Sequence, residues 1–188
     1  MNTVRGYVGS AGTQTAALAI GGLGPERYAV VESFNGTSWS EIADLNTVRS
    51  GVGGAGTTTA AVAFGGNPGS SPYITASTEE YNGSSWSESG DLLTARRDGG
   101  ASNGVGTQDS ALYFGGAAGA PTAGSTGTEG YDGTSWSTRP SMATARNYIA
   151  GCGSQTLALA FGNFPANGVT EEFTGDTTTA TAKIIDFD

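Results

Sequence analysis

Glu32-Ser33-Phe34-Asn35-Gly36-Thr37-Ser38-Trp39 is the stretch on which the fold turns. It sets an aromatic segment before Asn-Gly and a Ser-Trp-Ser segment after it. Asn-Gly between two such segments is the strongest short hairpin signal, because a type I′ turn needs positive φ at both central residues. The stretch returns as Glu79-Glu80-Tyr81-Asn82-Gly83-Ser84-Ser85-Trp86 and as Glu129-Gly130-Tyr131-Asp132-Gly133-Thr134-Ser135-Trp136. A fourth copy, Glu171-Glu172-Phe173-Thr174-Gly175, keeps the Glu, the aromatic and the Gly but has no Trp.

Other landmarks recur in step with it. Thr-x-Arg stands at Thr3-Val4-Arg5, Thr47-Val48-Arg49, Thr94-Ala95-Arg96 and Thr144-Ala145-Arg146, with offsets of 44, 47 and 50 residues between the arginines. After each Arg comes a small-residue stretch, then an apolar segment ending at glycine: Ile20-Gly21-Gly22, Phe64-Gly65-Gly66, Phe114-Gly115-Gly116 and Phe161-Gly162. No segment carries a 3.6-residue apolar period with caps, so no helix is expected. The chain therefore divides into four units of four short antiparallel strands, spanning about 1–46, 47–93, 94–143 and 144–188 of a single domain. Such units are the blade format of repeat propellers.

Bulk properties narrow the functions open to such a fold. The 32 glycines alternate with apolar runs and fit turns and close-packed strands better than a linker. A net charge of −9 argues against nucleic acid as a partner. No apolar run approaches the roughly 20 residues of a membrane-spanning helix. Met1–Arg5 lacks the shape of a secretory leader, which points to the cytoplasm where no virion location applies. Cys152 is the single cysteine and histidine is absent, so neither a disulfide nor a Cys- or His-based metal site is expected within the chain. No cofactor is implied. Cys152 matches Ala11, Ala55 and Val105 in the repeat, and the expectation is a small buried side chain.

Gly21-Gly22/Phe34/Trp39, Gly65-Gly66/Tyr81/Trp86 and Gly115-Gly116/Tyr131/Trp136 resemble the kelch repeat along essentially the whole chain. The wording Asn-Gly-Thr-Ser-Trp with Thr-x-Arg is similar to that of kelch-like repeat proteins encoded by bacteriophages, notably marine ones. The resemblance implies an all-β, four-bladed kelch-like β-propeller with four antiparallel strands per blade. A monomeric ring is the first expectation and an oligomer the second. It also implies a virion structural, tail-associated or decoration protein, non-enzymatic, whose partners are other virion proteins or a host-surface glycan or protein. The alternative is an intracellular kelch-type interaction module. A sialidase-like enzyme is a further alternative, but the arginines it would need look committed to the repeat. A copper oxidase would need His ligands that the chain lacks.

Two sets of candidate residues follow. Arg5, Arg49, Arg96 and Arg146 share one repeat position, and Glu32, Glu79, Glu129 and Glu171 share another. They could ring a central channel that holds an ion. The preferred reading is an Arg–Glu or Arg–backbone network inside each unit, because every unit keeps both partners. Trp39, Trp86 and Trp136 are expected to pack between neighbouring units rather than to stack on sugars. The segments after Gly-Gly differ from unit to unit: Leu23–Tyr28, Asn67–Ala76, Ala117–Thr126 and Phe164–Gly168. They begin at the same point of each unit, so a propeller gathers them on one face, and Arg27, Tyr28, Tyr73 and Phe164 are its candidate ligand contacts. Simple drift of surface-loop length is the other reading of the same segments.

Overall fold

The computed structural model describes residues 1–188 except 101–105, 120–122, 163–167, 169, 176–182 and 186–188. Among the described residues there is no helix, and the strands form four antiparallel sheets, one for each sequence unit. The first holds β1 (Gly9–Thr13), β2 (Ala16–Leu23), β3 (Arg27–Phe34) and β4 (Trp39–Glu41). The second holds β5 (Gly53–Gly56), β6 (Ala61–Phe64), β7 (Thr78–Tyr81) and β8 (Trp86–Ser89). The third holds β9 (Gly106–Thr107), β10 (Ser110–Phe114), β11 (Thr128–Tyr131) and β12 (Trp136–Arg139). The fourth holds β13 (Ala150–Gly153), β14 (Leu157–Phe161), β15 (Thr170–Thr174) and β16 (Lys183–Ile185). Strands lie side by side in chain order within each sheet. β16 pairs with β15, so the last strand completes its own unit instead of crossing to the first.

The hairpin that decides the fold is present, but its turn is not type I′. Phe34 pairs with Trp39, Tyr81 with Trp86 and Tyr131 with Trp136, which leaves four-residue loops. Only the glycines Gly36, Gly83 and Gly133 take positive φ, at 91°, 92° and 91°. The preceding Asn or Asp works through its side chain. Asn35 Oδ1 accepts the N–H groups of Thr37 and Ser38, both at 3.0 Å. Asn82 and Asp132 accept the corresponding pairs. An Asx turn of this kind needs an acceptor side chain at one position and glycine at the next, which accounts for the dipeptide without positive φ at the Asn.

Neighbouring sheets pack face to face through three cores. Ala11, Leu18 and Ile20 of the first unit meet Ala61, Ala63, Tyr81 and Trp86 of the second. Ala55, Val62 and Phe64 meet Ala111, Tyr113, Tyr131 and Trp136. Leu112 and Phe114 meet Ala158, Ala160 and Phe173. Each buried tryptophan belongs to the later unit and leans on the earlier one. Trp136 Nε1 donates to Thr78 Oγ1 at 3.0 Å, and its ring meets Phe64 edge-on at 4.7 Å between centroids. Trp86 Nε1 donates to the carbonyl of Ala43 at 3.0 Å. Trp39 is half-buried.

The fourth unit departs from this scheme twice. It has no tryptophan, and a small apolar cavity of about 20 Å³ lies where one would stand, lined by Phe114, Thr128, Met142, Ala158, Ala160 and Phe173 among others. Phe114 and Thr128 are the counterparts of Phe64 and Thr78, which hold Trp136 one junction earlier. Cys152, expected inside, is exposed. Its counterparts Ala11 and Ala55 are covered by the next unit, whereas the face that carries Cys152 is left open.

Truncating Trp86 or Trp136 to Ala should cost about 3–5 kcal/mol, the range for a buried large aromatic. Trp39→Ala should cost clearly less, in urea unfolding of the three variants side by side.

Candidate functional site

Each repeat arginine is buried and paired with the glutamate of its own unit. Arg5 Nη1 lies 2.6 Å from Glu32 Oε1, Arg49 Nη2 2.8 Å from Glu79 Oε1, and Arg96 Nη2 2.7 Å from Glu129 Oε1. Arg146 pairs with Glu171 in the same way. The guanidinium also donates to the carbonyl of the first glycine of Gly-Gly, from Arg5 to Gly21, Arg49 to Gly65 and Arg96 to Gly115. The carboxylate is occupied on its other side by backbone. Glu32 accepts N–H groups from Asn2 and Thr3, Glu129 from Leu93 and Thr94, and Glu171 from Ala143 and Thr144. Glu79 accepts from Asn46. Thr-x-Arg is thus a loop clamped at both ends by one carboxylate. Burial raises the Glu32 carboxyl, but the Asn2 and Thr3 N–H groups and Arg5 outweigh it and hold it below its ordinary value.

The same segment reaches the preceding unit. Gly22, Gly66 and Gly116 donate their N–H groups to the carbonyls of Arg49, Arg96 and Arg146 at 2.8–2.9 Å. A side chain at Gly21 or Gly65 would meet that arginine carbonyl at 2.5 Å, so glycine is required where one unit's strand end touches the next unit's clamp.

Two residues past each arginine lies a second set of equivalent positions: Tyr7, Gly51, Asp98 and Tyr148. All four have positive φ, at 53°, 63°, 58° and 51°. Their backbones are relayed from unit to unit. Gly51 N–H donates to Tyr7 O at 2.8 Å, Asp98 N–H to Gly51 O at 3.1 Å, and Tyr148 N–H to Asp98 O at 2.8 Å. With Val8 and Ile149 these residues line one pocket of about 200 Å³ at which all four units meet. Tyr7 and Tyr148 are 57% and 41% exposed, with ring centroids 6.3 Å apart and planes tilted by 59°. Asp98 is buried and bonds Arg97 Nη1 through Oδ2 at 2.9 Å. Burial pushes the Asp98 carboxyl above its ordinary value, against the pull of Arg97. The pocket therefore offers two tilted aromatic walls and the Asp98 side chain, whose charge is balanced by Arg97.

The variable loops start beside this pocket. Leu23, Asn67 and Ala117 are bridged to Gly6, Ser50 and Arg97, the residues that immediately precede Tyr7, Gly51 and Asp98. Arg27 and Tyr28 are strand residues, paired across β2 with Leu23 and Gly22. Both are half-buried, Arg27 with its stem against Gly69 of the second unit's loop. Tyr73 is exposed, and no hydrogen bond or ring contact joins its side chain to Arg27 or Tyr28 among the described residues. Phe164 lies outside the described residues. The tyrosines and the aspartate at the pocket carry a faint signal in the sequence: a position at fixed distance from an invariant arginine whose residue type changes from unit to unit.

A scan of protein-family models matches none, and a search of curated proteins gives no match.

A non-glycine residue in the left-handed region costs about 1–2 kcal/mol, and Gly51 shows that glycine satisfies the same backbone. Tyr148→Gly should therefore leave thermal stability unchanged or slightly raised. Glu32 has the opposite dependence on pH from Asp98. Glu32, depressed in the folded protein, contributes stability at neutral pH that is lost as pH falls through about 4 and below. Asp98, raised, contributes stability in acid that is lost as pH rises through its folded value. Between neutral pH and pH ~3, stability of Glu32→Gln should fall less steeply than that of the parent, and Asp98→Asn more steeply, in denaturant titrations at each pH.

Proposed function

We propose that the chain is a four-bladed kelch-like β-propeller that recognises a host-surface glycan on behalf of a phage particle, without catalysing a reaction. The carrying observation is the axial quartet. Three of its four positions keep Tyr, Asp and Tyr in a backbone conformation that favours glycine, around a pocket shared by all four units. Costly backbone geometry at a solvent-facing site is a mark of function. Two tilted aromatic rings suit the apolar C–H faces of a sugar. Asp98, its charge balanced by Arg97, supplies a carboxylate acceptor to its hydroxyls. The variable loops rooted beside the pocket supply the rim that would read the rest of the glycan. The order of the units around the pocket is supported by the backbone relay, and approach of the fourth unit to the first by the Tyr7–Tyr148 contact. Placement on a virion rests on the likeness of the repeat to phage-encoded kelch-like proteins.

The test is binding of the protein, displayed on beads, to glycan arrays and to candidate host cells. Multivalent display is needed because avidity can lift a weak single site by about 10²–10⁴. Tyr7→Ala and Tyr148→Ala should each weaken selective binding by about tenfold, ~1.4 kcal/mol, with Tyr73→Ala near neutral. The reverse pattern would move the site to the loops. No binding by folded protein would overturn glycan recognition and leave a decorative or structural role.

A further inference from the structure

Asp98 brings a carboxylate to the axial pocket and leaves one of its oxygens without a donor. Its side chain is 4% exposed, and Arg97 Nη1 bonds Oδ2 at 2.9 Å. Oδ1 lies over Gly51, which lines the same pocket. It accepts no hydrogen bond among the described residues. A Cβ added to Gly51 would stand 2.2 Å from Oδ1. Glycine at this position therefore does more than take a positive φ: it clears the space that the carboxylate oxygen occupies.

Buried polar atoms are ordinarily hydrogen-bonded, and a carboxylate oxygen makes its strongest hydrogen bonds with charged donors. Arg97 meets that need only in part. Its side chain is 17% exposed, and burial holds the Asp98 carboxyl above its ordinary value in spite of it. The other walls share the preference. Aromatic faces carry negative potential, and the Tyr7 and Tyr148 centroids, 6.3 Å apart, are close enough for one cation to contact both. So does the surrounding surface. Four of the eight basic residues are buried in the clamps with their glutamates, which leaves the net charge of −9 on the rest of the chain. A field of that sign concentrates cations at the surface.

We infer that the axial pocket takes a primary ammonium group, as on a sugar whose amine is not acetylated. The ammonium donates to Asp98 Oδ1 and lies against the rings of Tyr7 and Tyr148. A hydroxyl or an acetylated amine is neutral, and so gains little from the rings and leaves the buried carboxylate's charge as it was. This names the ligand class for the recognition proposed above and rests on that reading.

Ligand-observed NMR titrations of the full chain near neutral pH test this with glucosamine, N-acetylglucosamine and glucose. Cyclohexylammonium and cyclohexanol serve as a charged and neutral pair that is not a sugar. Glucosamine should bind at least about tenfold tighter than the other two sugars, and cyclohexylammonium likewise than cyclohexanol. Asp98→Asn should lose both preferences, whereas Tyr148→Phe, which keeps the ring, should retain them. Should Asp98→Asn not fold, the parent's ranking of the five probes is a test by itself. A preference that survives in folded Asp98→Asn is general attraction to an acidic surface and overturns the inference. Glucose or N-acetylglucosamine bound as tightly as glucosamine also overturns it, and leaves glycan recognition standing. Cyclohexylammonium bound in preference to cyclohexanol, with no sugar bound, keeps the ammonium site and removes the glycan. Failure of the folded parent to bind either amine overturns the inference whatever glycan arrays show.

Discussion

Removing a guanidinium and a carboxylate from water costs several kcal/mol per ion, and the interior repays it only when geometry and hydrogen bonding are complete. This chain comes near that condition at each unit, although Nε of Arg49 and of Arg96 is buried with no hydrogen-bond partner among the described residues. The carboxylate of Glu32, Glu79, Glu129 or Glu171 holds the arginine on one side and backbone N–H groups of the segment before it on the other. The guanidinium holds that carboxylate and the carbonyl of a glycine in β2 or directly after β6 or β10. A short loop is thereby fixed against its sheet. Fixing it matters twice over. Its arginine carbonyl is the acceptor for the preceding unit, and two residues later it brings a residue to the pocket at which the four units meet. Packing between sheets and the shape of the pocket both descend from one ion pair per unit.

Much of this was legible before any coordinates. The period, the four-strand unit and the hairpin between aromatic and Trp all follow from residues repeated in register. The detail of the turn was not legible, because Asn-Gly serves a two-residue and a four-residue loop equally well. What decides between them is whether Asn35 contributes its backbone or its side chain. Cys152 illustrates a different limit. Its place in the strand pattern is right, but burial at that place depends on a neighbouring sheet, and a repeat alignment cannot say which copy has one. The axial residues were missed for a related reason. Alignment reveals what is constant, and Tyr7, Gly51, Asp98 and Tyr148 are alike in backbone only.

The fourth unit shows how a repeat tolerates loss. Without a tryptophan, the junction between the third and fourth units still forms through Phe114, Ala158, Ala160 and Phe173, with a small void beside them. The Arg146–Glu171 clamp is retained there, and Gln155 Nε2 donates to the carbonyl of Tyr131 as Gln108 Nε2 does to that of Tyr81 one junction earlier. Aromatic burial contributes to each junction, but the polar clamp and the glutamine are what recur at this junction when the aromatic is gone.

The relay runs entirely through main-chain N–H and C=O groups, and what it asks of the residues it carries is a left-handed backbone rather than a particular side chain. Positions around one pocket can therefore differ in chemistry, as Tyr, Gly, Asp and Tyr do, while the scaffold beneath them stays constant. The arrangement works as a short alphabet written on a fixed frame: Tyr, Gly, Asp, Tyr is one four-letter word, and others could be spelled without refolding the page. On the binding role proposed for the pocket, specificity is altered at these few codons, leaving the clamps, glycines and tryptophans untouched.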